Sequence, residues 1–265
     1  MSRPWATRGS GRSAGWLGGA SILITGAGGG IGRATCTAFL AAGANVTGLD
    51  LTESWLEGLS GELPGKARAV HGDVTKAEDV AAAVREVCEA DGRLDVVVTA
   101  AGIQAVGPVE STSEETWRKV LDINLTGTWL TCKYAVPALR DSGGGTILCL
   151  ASTTALHPRA NLAAYCVSKA GVGMLVRVLA REVAGEGIRV VGVCPTGVET
   201  PLLAGLIAGL RAESGATDEN AGLLASKPVQ RWLSAEEVAD ALVWLTSPAA
   251  AAVSGSNIPI DFASA

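Results

Sequence analysis

Short runs of aliphatic and β-branched residues alternate with longer amphipathic stretches from about residue 21 to residue 260. The strand-like runs are Ser21–Thr25, Asn45–Asp50, Ala67–His71, Leu94–Thr99, Gly145–Ala151, Ile188–Val193 and Asn257–Ile260. Between them, helical periodicity predicts helices near 31–42, 76–91, 113–140, 162–185 and 234–246. Several central runs are apolar almost throughout, as parallel strands covered on both faces are. The alternation predicts an α/β fold, a single doubly wound domain with a seven-stranded parallel sheet flanked by helices. Sheets of this kind hold their ligands beyond the carboxyl ends of the strands, so chemistry is expected just after each strand.

Composition narrows the classes. The chain has 265 residues, 48% hydrophobic and 18% charged, enough for one large core and too apolar for disorder. A net charge of −5 argues against an electrostatic nucleic-acid partner. No window offers about 18 uninterrupted apolar residues, so no membrane partner is expected. Two histidines, His71 and His157, leave little for a metal site, and none is expected. The six cysteines contain no C-x-x-C pair and lie in apolar runs, which reads as buried reduced thiols and a cytoplasmic location. Residues 1–18, with Arg3, Arg8 and Arg12 and no acid, read as a flexible N-terminal tail ahead of a domain at 19–265.

The first strand runs into Thr25-Gly26-Ala27-Gly28-Gly29-Gly30-Ile31-Gly32 and then a helix. Glycines here permit a tight turn, close approach of backbone to a pyrophosphate, and a helix N-terminus aimed at the phosphates, in the manner of a Rossmann-type dinucleotide site. No Lys-Ser/Thr follows, which disfavours a P-loop. Asp50 ends the second strand, 18 positions after Gly32, where a carboxylate can accept from ribose hydroxyls or cap a helix. It would repel a 2′-phosphate, and Leu51 and Thr52 follow it rather than a cation, so NAD is the expected cofactor. Asp73 and Val74 stand after the third strand, where they either contact the adenine or form an Asx turn. Ala100, Ala101 and Gly102 follow the fourth, small enough for a ribose to lie against the backbone.

Ser152 follows the fifth strand, Tyr165 comes thirteen residues later, and Lys169 four beyond that on the same helical face. A free tyrosine titrates near 10, and bringing it near 7 takes roughly 4 kcal/mol of differential stabilisation. A nearby ammonium and a cationic nicotinamide favour phenolate. Tyr165 would then take the hydroxyl proton as hydride leaves, Ser152 would hold the substrate oxygen, and Lys169 would bind the nicotinamide ribose.

Over about residues 18–262 the chain resembles the short-chain dehydrogenase/reductase family. The resemblance rests on the glycine turn, Asp73, Ala100–Gly102, Asn124, and Ser152 with Tyr165-x-x-x-Lys169. It implies a catalytic tetrad of Asn124, Ser152, Tyr165 and Lys169, with Asn124 bending its helix and holding a water. It also implies cofactor contacts from Gly26, Gly29, Gly30, Ile31, Gly32, Asp50 and Leu51. Further contacts would come from Pro195, Gly197, Val198 and Thr200, and a homo-oligomer, tetramer or dimer, would form through the helices around 113–140 and 162–185. Two positions depart from the pattern: Thr99-Ala100 stands where the family usually has asparagine, Thr99 substituting in part, and Thr196 occupies a glycine position near the nicotinamide. The stretch at about 201–230 resembles a mobile lid, with Gly205 and Gly209 as hinges or, alternatively, in a helical core segment. Gln104, Thr154, Leu156, His157 and Thr196 are the expected substrate lining, although His157 could equally be a loop residue without a role. The expected activity is hydride transfer between NAD(H) and a secondary alcohol or ketone on a mostly apolar small molecule. The alternatives are an NADPH-dependent 3-oxoacyl-thioester ketoreductase and a non-catalytic dinucleotide sensor.

Overall fold

A computed structural model describes residues 15–53, 56–57, 63–214, 223–224 and 228–263. The strands are β1 (Ser21–Thr25), β2 (Asn45–Asp50), β3 (Ala67–His71), β4 (Val96–Thr99), β5 (Gly145–Leu150), β6 (Ile188–Pro195) and β7 (Asn257–Ile260). They form one parallel sheet in the order β3-β2-β1-β4-β5-β6-β7. The chain reverses its winding between β1 and β4, so the crevice beyond these two strands is the switch point where such sheets bind ligands.

The helices are α1 (Gly30–Ala41), α2 (Ala77–Asp91), α3 (Glu114–Leu121), α4 (Gly127–Asp141), α5 (Ala163–Glu182), α6 (Pro201–Ser214) and α7 (Ala235–Leu245). Every residue of β1 is buried, with Ile22 and Ile24 in one core cluster and Leu23 in the other, as the two-residue period requires. The first core joins the sheet to Phe39 and Leu40 of α1 and to Val238 and Leu242 of α7. The second joins it to Val80 of α2, Leu130 of α4 and Val176 of α5. Ser113 caps α3 through the Thr116 amide, and Ser234 with Glu237 forms a reciprocal capping box on α7. α5 is the one described helix long and apolar enough to span a membrane, but half of that stretch is buried, and it carries Lys169. Its apolarity serves the core.

One expectation needs correction. The domain starts before residue 19: Leu17 is buried in the first core, and Trp16 Nε1 donates to Thr246 Oγ1 at 3.2 Å. Residues 1–14, the rest of the expected tail, lie outside the described residues. The helical stretch expected over 113–140 is interrupted by a π-helical segment at Asp122–Thr126, around the Asn124 that the resemblance implies bends its helix. At its centre the Asn124 side chain turns away to another loop, and the Asn124 carbonyl accepts the Thr128 hydroxyl at 2.8 Å.

Candidate active site

The glycine turn is set by contact. Gly26 has φ +69°, and a β-carbon there would lie 2.5 Å from the Ala101 nitrogen. A β-carbon on Gly32 would overlap the Gly26 carbonyl, and one on Gly30 would overlap the side chain of Thr200. Thr25, Gly26 and Ala100–Ala101 are thereby pressed together at the switch point, with Ala100 N–H donating to the Thr25 carbonyl at 3.1 Å. No side chain caps the start of α1, whose N-cap is Gly29, so its first-turn amides are available to an anion. The cradle that β-carbons would fill and the uncapped helix start both fit a dinucleotide pyrophosphate.

Asp50 stands at the end of β2 and accepts the Gly28 amide through Oδ2 at 2.9 Å and the Thr52 amide through Oδ1 at 3.3 Å. It braces the glycine turn, and Leu51 beside it is exposed. Asp73 Oδ1 accepts the Thr75 amide at 2.8 Å, the Asx turn that was one of its two readings. Val74 is buried where a β-carbon on Gly127 would meet it at 2.9 Å. His71 lies on the edge strand and is exposed.

The four residues of the expected tetrad lie around one end of the sheet. Lys169 Nζ donates to the Leu150 carbonyl at 2.7 Å and stands 5.9 Å from the centre of the Tyr165 ring. Ser152, at the end of β5, accepts the Thr154 amide at 3.1 Å and the Thr154 hydroxyl at 3.0 Å. Asn124 is fully buried and pairs with the Ile103 peptide in both directions. A β-carbon on Gly102 would come 3.4 Å from Asn124 Oδ1 and 3.5 Å from Lys169 Nζ, so glycine keeps the gap between these side chains open.

Burial governs the ionisation of this group. It pulls the Lys169 ammonium down to about 8, while Cys149 and Cys194 beside it act in the opposite direction. It pushes the Tyr165 phenol up to about 12 against the hydrogen bond from Ser152, which favours the phenolate. The expected lowering by Lys169 is not present in the chain alone: desolvation of the phenol outweighs the hydrogen bond from Ser152. A bound nicotinamide dinucleotide would supply the hydride acceptor or donor and, when oxidised, a positive charge. The chain's own groups bind and orient it, and Tyr165 holds the transferable proton at Oη.

Beside Tyr165 lies a cavity of about 170 Å³. Of the expected residues, Ile31, Ala100, Gly102, Gln104, Ser152, Thr154, Tyr165, Lys169, Pro195, Thr196, Gly197, Val198 and Thr200 line it. Leu156 and His157 do not. The 3₁₀ turn at Thr153–Ala155 turns the chain outward, and both are exposed. The Thr99 hydroxyl is buried and turned toward the Cys149 thiol of the neighbouring strand. Thr196 fits its glycine position, its amide donating to the Ile260 carbonyl at 3.0 Å.

The expected lid begins as helix α6. The Gln104 side-chain amide donates to the Leu202 carbonyl, and a β-carbon on Gly209 would meet Val106 at 2.8 Å. Gly209 is a seat for the loop after β4 rather than a hinge, because the helix lies too close for a side chain. Residues 215–222 and 225–227 of the expected lid lie outside the described residues. Leu202 and Leu206 of the expected lid line the cavity, and the sequence reading missed Arg159, Leu162 and Trp232, which line it as well. The Trp232 ring covers Gly197, where a β-carbon would come 2.5 Å from a ring carbon. Nothing in the local pattern links positions 197 and 232.

A family profile described as Enoyl-(Acyl carrier protein) reductase matches residues 26–262. The D-threitol dehydrogenase of Mycolicibacterium smegmatis is 37% identical over 92% of this chain and 92% of its own. The chain belongs to the short-chain dehydrogenase/reductase family. Among solved structures, levodione reductase superposes with a TM-score of 0.86 at 28% identity, over 93% of this chain and 97% of its own. The 3-ketoacyl-(acyl-carrier-protein) reductase of Brucella melitensis, solved with NADH, gives 0.83 at 31% identity, over 94% and 99%. This short-chain dehydrogenase/reductase is thus an oxidoreductase of CH–OH groups that works with a nicotinamide dinucleotide.

Proposed function

We propose that the protein is an NAD-preferring dehydrogenase of secondary alcohols on small, mostly apolar molecules, reversible as a ketone reductase. The observation that carries this is the convergence of Ser152, Tyr165 and Lys169 on one cavity whose walls include Leu162, Leu202, Leu206 and Trp232. Asn124, Ser152, Tyr165 and Lys169 act together. Ser152 donates to the substrate oxygen, and Tyr165 takes the hydroxyl proton as hydride leaves the carbinol carbon. Lys169 binds the nicotinamide ribose, and Asn124 fixes the loop beneath it.

The NAD preference rests on Asp50. Its carboxylate sits on the Gly28 amide, where a ribose 2′-phosphate would meet like charge. At an effective dielectric near 20, such a charge about 4 Å away costs on the order of 4 kcal/mol. A homo-oligomer is proposed from the outer faces of α4 and α5, where Trp129, Val167, Met174 and Val178 are exposed. The cytoplasm suits the free cysteines of the described residues. The deciding experiment is a rate screen with NAD and NADP across polyols, cyclic alcohols, steroids and acyl thioesters. Reduction of NAD by a cyclic or acyclic secondary alcohol is expected. A preference for NADP with a thioester would overturn the reading.

A further inference from the structure

Ser152 follows β5 and opens the 3₁₀ turn at Thr153–Ala155. Two bonds from Thr154 end on the Ser152 oxygen, one from the amide at 3.1 Å and one from the hydroxyl at 3.0 Å. The amide bond is the ordinary cap of such a turn. The hydroxyl bond is not needed for capping. The turn holds Thr154 in place to make it: the Ala155 amide donates to the Ser152 carbonyl at 3.0 Å, and the Leu156 and His157 amides donate to the Thr153 carbonyl at 3.0 and 2.8 Å. Ser152 is buried, Thr154 is half-buried, and both line the cavity beside Tyr165. A serine hydroxyl has one proton and two lone pairs. Thr154 fills both lone pairs, so the proton is what Ser152 has left to offer.

We propose that Thr154 is a positioning residue for hydride transfer: by filling both lone pairs of Ser152 Oγ, it holds the Ser152 proton toward the cavity, where that proton meets the substrate oxygen. The inference rests on the dehydrogenase reading above and deepens it. A hydroxyl free to turn accepts as readily as it donates. An alcohol would then present its own proton to Ser152 instead of to Tyr165. That pairing would leave the carbinol oxygen without a donor while negative charge builds on it. With its proton fixed outward, Ser152 donates in both directions of the reaction, to the alcohol oxygen as Tyr165 deprotonates it and to the carbonyl oxygen during reduction. Without substrate the same proton serves the Tyr165 oxygen, which is the hydrogen bond that favours the phenolate.

The test is a double-variant cycle on the full chain, with cyclohexanol and NAD for the kinetics. Thr154→Val keeps the amide bond and the side-chain shape and removes the hydroxyl. It should lower kcat about five- to tenfold, the range of one neutral hydrogen bond, with KM changed by less than about twofold. Thr154→Ser should restore most of the loss. In a Ser152→Ala background Thr154→Val should have no further effect, because the role runs through Ser152. A second arm needs no turnover. In a Tyr134→Phe background with NAD bound, Thr154→Val should raise the phenolate midpoint of Tyr165 by about half a pH unit or more, and not beyond the value reached with Ser152→Ala. Lys169 and Cys166 stand beside that phenol and Arg159 lines the same cavity, and these substitutions alter none of them. A wild-type kcat in Thr154→Val, a loss that appears in KM instead, or a loss that persists in the Ser152→Ala background would overturn the proposal. Failure of the dehydrogenase reading looks different: no NAD is reduced with cyclohexanol, and the phenolate arm still decides the role of Thr154.

Discussion

The side-chain amide of Asn124 and the peptide of Ile103 are bonded in both directions, each at 2.8 Å. One residue of a π-helical segment thus satisfies both main-chain groups of the loop that passes under the cavity. Asn124 Nδ2 also donates to Ser168 Oγ at 3.0 Å, and Ser168 donates to the Tyr165 carbonyl at 2.7 Å. Asn124→Ala strands the Ile103 amide and carbonyl in a partly buried site. Each such group costs about 1–3 kcal/mol, so urea unfolding should show a loss of about 2–4 kcal/mol together with a fall in kcat. Asn124→Asp keeps the acceptor and should cost less. Equal stability for the alanine variant and the wild type would remove the bracing role.

Tyr165 and Lys169 make opposite contributions to stability as pH changes. The Lys169 ammonium titrates at about 8 in the fold against 10.5 in the unfolded chain. Between these values the unfolded chain holds more protons, so stability rises with pH across the window, and the full cost of burying the charge is present below pH 8. Tyr165 titrates at about 12 against 10, so between pH 10 and 12 the folded chain holds more protons and stability falls. Lys169→Met should therefore stabilise the fold at pH 7, by an amount on the order of 3 kcal/mol, and the gain should vanish by about pH 10.5. Denaturant titrations at pH 7 and pH 10.5 measure this. A gain that does not shrink with pH would sink the assignment.

The same phenol gives a spectroscopic prediction. The sequence contains two tyrosines, Tyr134 and Tyr165, so a Tyr134→Phe variant reports Tyr165 alone. Its phenolate absorbance should appear only near pH 12 in the free protein. With oxidised cofactor bound, a positive charge about 4 Å away should bring the midpoint down by about 3 pH units. Tyr165→Phe should abolish turnover while leaving cofactor binding in place, which separates a catalyst from a dinucleotide sensor.

Asp50 is tested by selectivity. Asp50→Ala removes the like charge opposite a 2′-phosphate and the acceptor for the Gly28 amide. The NAD-over-NADP ratio of kcat/KM should fall by up to about 1,000-fold, less at high salt, where the interaction is screened. A wild type that already favours NADP would contradict the role given to this carboxylate.

Ser152, Tyr165 and Lys169 were legible because their spacing is local: Tyr165 and Lys169 are one helical turn apart, and Ser152 ends a strand that the apolar pattern marks, whereas Asn124 came only from the family resemblance. The glycine turn was legible for the same reason. What was not legible depends on contacts between distant segments. Arg159 and Trp232 reach the cavity from separate loops, and Gly209 owes its identity to Val106 of another element. Leu156 and His157 were misplaced because closeness to Ser152 along the chain is not closeness in space once a 3₁₀ turn intervenes. The phenol of Tyr165 stands above its ordinary value in the chain alone because burial, which no spacing encodes, outweighs the hydrogen bond from Ser152. Gly205 and Gly209 read as hinges because glycine is a poor helix former. The packing of α6 explains one of them without any hinge.

That distinction between the two glycines is itself testable. A β-carbon on Gly205 would lie 4.0 Å from Gln104 Nε2, an ordinary contact, whereas one on Gly209 would press into Val106 at 2.8 and 3.0 Å. Gly205→Ala should therefore be tolerated and should stiffen α6, gaining up to about 1 kcal/mol of helix propensity. Gly209→Ala should lift α6 off the loop after β4, at a cost of about 1–3 kcal/mol or a matching rise in KM for substrate. Adding Val106→Ala removes the opposing methyls and should restore most of that loss. The double variant is the decisive measurement: if it is no better than Gly209→Ala alone, the glycine is not a seat for Val106, and the case for α6 as a hinged lid returns.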